Sequence, residues 1–119
     1  MKKILVVEDD EVERELMRMT LERAGYEVSA AEDGGRGFEL AVEGRPDLIV
    51  TDVQMPGTDG LSLVRQVRET AAISETPILV TTGFGHGGAT MTLVSGADAY
   101  EPKPLEAGSL LESVRRLLA

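Results

Sequence analysis

Short apolar runs alternate with segments of helical periodicity along the whole chain. The runs at residues 4–7, 48–51 and 78–82, the last of them introduced by Pro77, are short, continuous and rich in branched side chains. This pattern predicts strands that are buried on both faces of a sheet. Residues 27–31 and 98–101 are weaker strand candidates. The chain is therefore predicted to contain five strands.

The segments that follow these strands carry apolar residues at helical spacing, which predicts helices. Gly25 is suited to end the first helix, because glycine readily adopts the conformation found after a helix C-terminus. A modest helix is also predicted near residues 90–95. The apolar positions of the other four helices are Val12, Leu16 and Met19; Phe38, Ala41 and Val42; Leu63, Val64 and Val67; and Leu111, Val114 and Leu118.

Strands that alternate with helices predict an α/β fold with right-handed crossovers and a mostly parallel sheet, covered by helices on both faces. In such a sheet, functional residues gather beyond the carboxyl ends of the strands, where the strand order reverses. With the order 2-1-3-4-5, that point lies between the first and third strands. Glu8 and Asp9 would then lie beside Asp52. Thr82 ends the fourth strand, and Lys103 follows the fifth.

Length and composition are those of one domain spanning residues 1–119, with 42% hydrophobic residues and no cysteine. No stretch approaches the roughly 20 apolar residues that a membrane span needs. We therefore expect a soluble, cytoplasmic domain without membrane contacts. The net charge of −9 and the small number of aromatic residues disfavour direct nucleic-acid binding.

The acidic run EDDE at residues 8–11 directly follows an apolar strand. Three carboxylates at one site, from Glu8, Asp9 and Asp52, would repel one another unless a cation lies among them. Oxygen ligands with room for water suit Mg²⁺, with Mn²⁺ as the alternative ion. Asp10 and Glu11 are assigned instead to the helix N-terminus, where Asp10 and Glu13 have the spacing of a capping box.

Asp52 has a chemical task once a metal ion is present. A carboxylate can attack a phosphoryl group and form an aspartyl phosphate. The negative charge of the transition state would be stabilised by Mg²⁺, by the Lys103 ammonium and by the Thr82 hydroxyl. Taken singly, Lys103 is also compatible with a surface lysine and Thr82 with an ordinary strand threonine. Only their combination favours the chemical interpretation.

The motifs VVEDD, TDVQMPGTDG, PILVTT and YEPKP together resemble the receiver domain of bacterial two-component response regulators, over essentially the whole chain. The resemblance implies a flavodoxin-like, doubly wound fold and a phosphoryl group accepted by Asp52 from a histidine kinase or a histidine phosphotransfer protein. It also implies that the backbone carbonyl of Gln54 joins Glu8 and Asp9 as a metal ligand. Thr82 and Tyr100 match the switch pair, and Lys103 matches the phosphate-binding lysine. The Lys103–Pro104 bond is expected to be cis.

Three features depart from the family pattern. Glycines at positions 83, 85, 87 and 88 disfavour a regular helix start, so the fourth helix is expected to be short or mobile. Glu101 and Pro102 stand where the family has apolar strand residues, which an edge strand tolerates. Gln54 and Phe84 occupy positions that control water access, so the lifetime of the phosphorylated state is not predictable from the sequence.

Other functions explain these residues less well than a receiver domain does. A pseudo-receiver that binds partners regardless of phosphate stays open because of the glycine-rich segment. An aspartyl phosphatase would need a second acid two residues after Asp52, where Gln54 stands. The GFGHGG run fits a dinucleotide fingerprint but follows the wrong strand, and it contains the lone His86. A flavin phosphate would be repelled by EDDE.

Overall fold

The computed structural model describes residues 1–53, 60–83 and 96–119. These residues form a five-stranded parallel sheet in the order β2-β1-β3-β4-β5. The strands are β1 (Lys3–Val7), β2 (Glu27–Ala31), β3 (Leu48–Asp52), β4 (Ile78–Thr82) and β5 (Ala99–Pro102). The described helices are α1 (Glu11–Arg23), α2 (Gly34–Gly44), α3 (Gly60–Arg68), a 3₁₀ turn (Ala71–Ile73) and α4 (Ala107–Leu118). The predicted α/β fold and strand order are confirmed.

Both faces of the sheet are covered, as the continuous apolar strands predicted. On one face, α2 and α3 pack on alternate strand residues through Ala41, Leu63, Val64 and Val67. On the other face, α1 and α4 pack on the remaining strand residues through Met17, Leu21, Leu110 and Val114. Every residue of β3 and β4 is buried, because these strands are covered on both faces and flanked by other strands.

The core-facing side of α1 differs from the apolar pattern in the sequence. Val12 and Leu16 are exposed by 67% and 58%, and Met19 is also exposed. Met17 and Leu21 are buried instead. The helical face indicated by Val12, Leu16 and Met19 therefore points away from the core. It leaves apolar side chains on the surface of α1.

The departure at Pro102 is explained by the position of β5 at the edge of the sheet, as predicted. Pro102 is the last residue of that strand and is exposed, so its missing N–H removes no hydrogen bond from a central ladder. The predicted helix near residues 90–95, Gln54, Phe84 and His86 all lie outside the described residues.

Candidate functional site

The carboxyl ends of β1 and β3 bring acidic side chains together. Glu8 directly follows β1, and Asp52 is the last residue of β3. Glu8, Asp9 and Asp52 each offer a carboxylate oxygen within 4.8 Å of the others. Glu8 and Asp52 are buried, whereas Asp9 is exposed. The sheet order therefore produces the acidic cluster that the sequence predicted at the switch point.

Local backbone contacts hold Glu8 in place. Its N–H donates to the carbonyl oxygen of Ala31 at 3.0 Å, which extends the pairing of β1 with β2 by one residue. Its Oε2 accepts a hydrogen bond from the Asp10 N–H at 3.1 Å, and its carbonyl oxygen accepts one from Arg14 Nη1 at 2.9 Å. Asp10 in turn caps α1 by accepting from the Glu13 N–H at 3.0 Å. The predicted capping role of Asp10 is confirmed.

Lys103 reaches into this cluster from the segment after β5. Its Nζ donates to Glu8 Oε1 at 2.8 Å, to Asp52 Oδ2 at 3.2 Å and to Glu13 Oε2 at 3.2 Å. Its backbone N–H donates to the Thr82 carbonyl oxygen at 2.8 Å, and the Lys103–Pro104 bond is cis as expected. Lys103 is therefore not a surface lysine, since its side chain is only 16% exposed and bridges three carboxylates.

The electrostatics of the site are dominated by burial and by this ammonium. Burial raises the pKa of Glu8 to about 7, and the negative charge of Asp52 acts in the same direction, although the bond from Lys103 opposes both. Burial works against the charged form of Lys103, but the hydrogen bond to Glu8 and the charges of Asp52 and Glu8 outweigh it and raise the Lys103 pKa. The lysine therefore stays charged at neutral pH.

The two predicted switch residues lie on neighbouring strands. Thr82 is buried at the end of β4, one residue beyond Thr81, which is the register partner of Asp52. Tyr100 lies in β5 and packs against the core cluster on the α2 and α3 side of the sheet. The structure thus places Thr82 one residue beyond the register position of Asp52, and Tyr100 on the adjoining strand.

The donor set fits a hard divalent cation. Carboxylate oxygens are the ligands that Mg²⁺ and Mn²⁺ accept in proteins, and an ion bound through one or two carboxylates with several waters is common for Mg²⁺. The buried carboxylate of Glu8 and the exposed carboxylate of Asp9 would hold such an ion, together with Asp52. The raised pKa of Glu8 indicates a buried carboxylate that Lys103 only partly compensates, and a cation would favour its charged form.

Sequence reasoning missed two residues that take part in the site. The sequence indicates for Glu13 only the spacing of a capping box, but its carboxylate contacts Lys103. The reciprocal bond of the capping box comes from Glu8, which accepts from the Asp10 N–H. The sequence indicates no role for Arg14, yet it binds the carbonyl oxygen of Glu8. No local spacing signals either contact, since Glu13 and Lys103 are 90 positions apart.

A doubly wound α/β fold with an acidic cluster and a lysine at its switch point defines a class of protein. Similarity to known families and proteins identifies this class. Residues 4–115 match the family model of the response regulator receiver domain. The chain is 43% identical to response regulator MprA of Mycobacterium sp. (strain KMS), over 98% of this chain and 50% of that protein. The DNA-binding dual master transcriptional regulator RpaA of Synechocystis sp. (strain ATCC 27184 / PCC 6803 / Kazusa) is 37% identical over 99% of this chain and 49% of its own length.

The solved structures agree with this result. The chemotaxis response regulator CheY4 of Vibrio cholerae superposes with a TM-score of 0.93 at 34% identity, with 99% of both chains covered. The chain therefore belongs to the response regulator receiver domain family. It spans about half the length of the curated relatives it matches. Among the described residues, no helix is long and apolar enough to cross a membrane.

Proposed function

We propose that this chain is a phosphorylation switch of a two-component system, in which Asp52 accepts a phosphoryl group in a Mg²⁺-dependent reaction. One observation carries the proposal. The ammonium of Lys103 donates to Asp52 Oδ2 at 3.2 Å, beside a set of carboxylates that fits a divalent cation. This arrangement supports the assignment of Asp52 as the nucleophile and Lys103 as a fixed positive charge, next to carboxylates that could hold a cation.

Each residue has a defined task in the proposed transfer. A carboxylate oxygen of Asp52 attacks the phosphorus, and the bond from phosphorus to the donor breaks with its electron pair leaving on the donor atom. Lys103 stays protonated and donates to a phosphoryl oxygen as negative charge develops. Glu8, Asp9, Asp52 and the backbone carbonyl of Gln54 would hold the metal ion. When bound, that ion neutralises charge on the phosphoryl oxygens.

The switch is assigned to Thr82 and Tyr100. A covalent modification shifts a conformational equilibrium only through contacts that differ between the two states. The proposed differential contact is from the Thr82 hydroxyl to the phosphoryl group, with Tyr100 turning inward as Thr82 moves. Tyr100 packs at the border of the α2 and α3 core cluster and is only half-buried. This partial exposure supports the proposal that its side chain can change position.

The proposed donor is a histidine kinase or a histidine phosphotransfer protein, and the proposed setting is the cytoplasm. Residues 1–119 would act as a single receiver domain, catalysing only their own phosphorylation and dephosphorylation. RpaA is a DNA-binding regulator by name, and this chain covers 49% of it. The acidic net charge of −9 supports our proposal that the domain itself makes no direct nucleic-acid contact.

The test is the intact mass after incubation with acetyl phosphate, with and without Mg²⁺, for the wild type and Asp52→Ala. We expect one added phosphoryl group only with Mg²⁺ and only when Asp52 is present. A beryllofluoride complex, which mimics the phosphoryl group, is the second probe if rapid dephosphorylation hides the product. No mass change and no beryllofluoride binding would reject the phosphorylation switch and favour a pseudo-receiver.

A further inference from the structure

The contact between Glu13 and Lys103 is not needed for metal binding or for nucleophilic attack. An ammonium has three N–H donors and no acceptor. In this structure, Glu8, Asp52 and Glu13 are three acceptors for that one group. Phosphorylation turns the Asp52 carboxylate into an uncharged acyl group, so the donor that Asp52 holds passes to the phosphoryl group attached to it. A second phosphoryl oxygen can gain a bond from Lys103 only if Glu8 or Glu13 gives up its own.

Glu8 and Glu13 differ in what the release of their bond to Lys103 would cost. Glu8 is buried, so its carboxylate would lose a partner where water cannot replace it. The Glu13 side chain is 39% exposed, and water can solvate it after the bond breaks. Glu13 is also outside the set of carboxylates, among the described residues, that fits a metal ion. Release of Glu13 is thus less costly than release of Glu8.

We propose that Glu13 is a positioning residue that competes with the phosphoryl group for the ammonium of Lys103. In the unmodified protein, Glu13 holds one donor of Lys103. In the phosphorylated protein, that donor passes to a second phosphoryl oxygen, and Glu13 is released to solvent at the first turn of α1. The competition lowers the affinity of the site for a phosphoryl group, so Glu13 tunes how readily the switch is turned on. This inference rests on the proposed function.

The negative charge of Glu13 also lowers the affinity of the site for a phosphoryl group, as the competition for Lys103 does. Glu13 and the phosphoryl group would be neighbours of one ammonium, so their negative charges repel. Exposed ion pairs are worth up to about fivefold in an equilibrium constant. Removing the Glu13 carboxylate should therefore tighten the binding of a phosphoryl mimic by about three- to fivefold.

The test is calorimetric titration of beryllofluoride into the folded protein at saturating Mg²⁺. Glu13→Ala and Glu13→Gln are compared with Glu11→Gln, which makes the same charge change in the same turn of α1. We expect the order of affinity to be Glu13→Ala, then Glu13→Gln, then the wild type, with Glu11→Gln equal to the wild type. Unchanged or weaker binding in Glu13→Ala would overturn the inference, as would equal gains in Glu13→Gln and Glu11→Gln.

A second measurement follows the contact itself without metal. The ¹⁵N resonance of Lys103 Nζ, recorded in EDTA, should shift in Glu13→Ala and stay in place in Glu11→Gln. A merely structural role for Glu13 would change thermal stability but not this resonance, so an unshifted resonance would also overturn the inference. Failure of the wild type to bind beryllofluoride and to gain a phosphoryl group would reject the proposed function as well. Binding by the wild type with no difference among variants would reject only the role of Glu13.

Discussion

The carboxylate of Glu8 is fully buried in the site, where its charged form is unfavourable. It has no exposed surface, and its hydrogen bonds come from Lys103 and from the Asp10 N–H. Burial raises its pKa to about 7, so part of the protein would carry a protonated Glu8 near neutral pH when no metal is bound. Functional sites commonly retain such groups at a cost in stability.

This raised pKa predicts a pH dependence of stability in the metal-free protein. The unfolded chain releases the Glu8 proton near pH 4.5, whereas the folded protein holds it to about pH 7. The unfolded state therefore binds fewer protons in this window, and the free energy of unfolding falls as pH rises through it. Relative to Glu8→Gln, the wild type should lose on the order of 2–3 kcal/mol between these limits.

Urea denaturation of both proteins in EDTA, at half-unit steps from pH 4 to pH 8, measures this effect. The difference between the two unfolding free energies should change across the window and become constant above about pH 7. The acidic groups remote from Glu8 are common to both proteins and cancel in the difference. If the unfolding free energies of the two proteins differ by a constant amount from pH 4 to pH 8, the raised pKa does not belong to Glu8.

At the scale of elements, Glu101 anchors β5 to α4. Its carboxylate is nearly buried and accepts hydrogen bonds from Ser113 Oγ at 2.6 Å and Ser109 Oγ at 2.9 Å. Arg116 Nη2 donates to Ser113 Oγ at 3.3 Å. The departure from an apolar residue at position 101 is thus matched by two serines in α4. The sequence shows the departure, but only the packing of α4 on β5 shows its partners.

Glu101→Ala should lower the free energy of unfolding by about 2 kcal/mol, because it leaves the buried Ser113 hydroxyl without its charged acceptor. The double variant Glu101→Val with Ser113→Ala should recover most of this loss, since replacing both partners by apolar groups is nearly neutral. Chemical denaturation of the two variants tests the pair. A loss in the double variant as large as that in Glu101→Ala would show that the unpaired Ser113 hydroxyl is not the cause.

A second element-scale contact is the close approach of α2 to β1 at Gly37. A Cβ at this position would lie 2.8 Å from Val7 Cγ2, closer than side-chain carbons approach, whereas a Cβ at Gly44 of the same helix meets nothing within 4 Å. Both residues are glycines in an amphipathic segment, so the sequence does not distinguish them. The difference arises only from the distance between helix and sheet.

Gly37→Ala should therefore destabilise the protein by about 1–3 kcal/mol, as overpacking in a core does. Gly44→Ala should be neutral or stabilising by up to about 1 kcal/mol, because alanine favours the helical conformation. Thermal unfolding of the two variants under the same conditions makes the comparison. Equal changes in stability in Gly37→Ala and Gly44→Ala would contradict the close approach of α2 and β1.

In the molecule as a whole, the acidic cluster would couple metal binding to folding. Glu8 and Asp9 follow β1 and Asp52 ends β3, so the carboxylates that could hold a cation come together only when the sheet is formed. A ligand that binds only the folded state raises the free energy of unfolding, by about 2.7 kcal/mol at 100 times its dissociation constant. Mg²⁺ should therefore stabilise the wild type.

Asp9→Asn should reduce this Mg²⁺-dependent stabilisation, whereas Asp10→Asn should retain it. Both replacements remove one negative charge from exposed, adjacent positions, and asparagine caps a helix about as well as aspartate. Thermal melting over a Mg²⁺ titration gives the comparison. An equal reduction in both variants would indicate a general effect of charge rather than ligation by Asp9.

The sequence alone predicts the alternation of strands and helices, because period and branching are local properties of the chain. It also placed Glu8, Asp9, Asp52, Thr82 and Lys103 at strand ends, which parallel sheets gather at one edge. The packing of the elements shows which face of α1 is buried, which glycine lies against Val7, and that Glu13 and Lys103 meet. These depend on distances between elements remote in sequence, which no local pattern encodes.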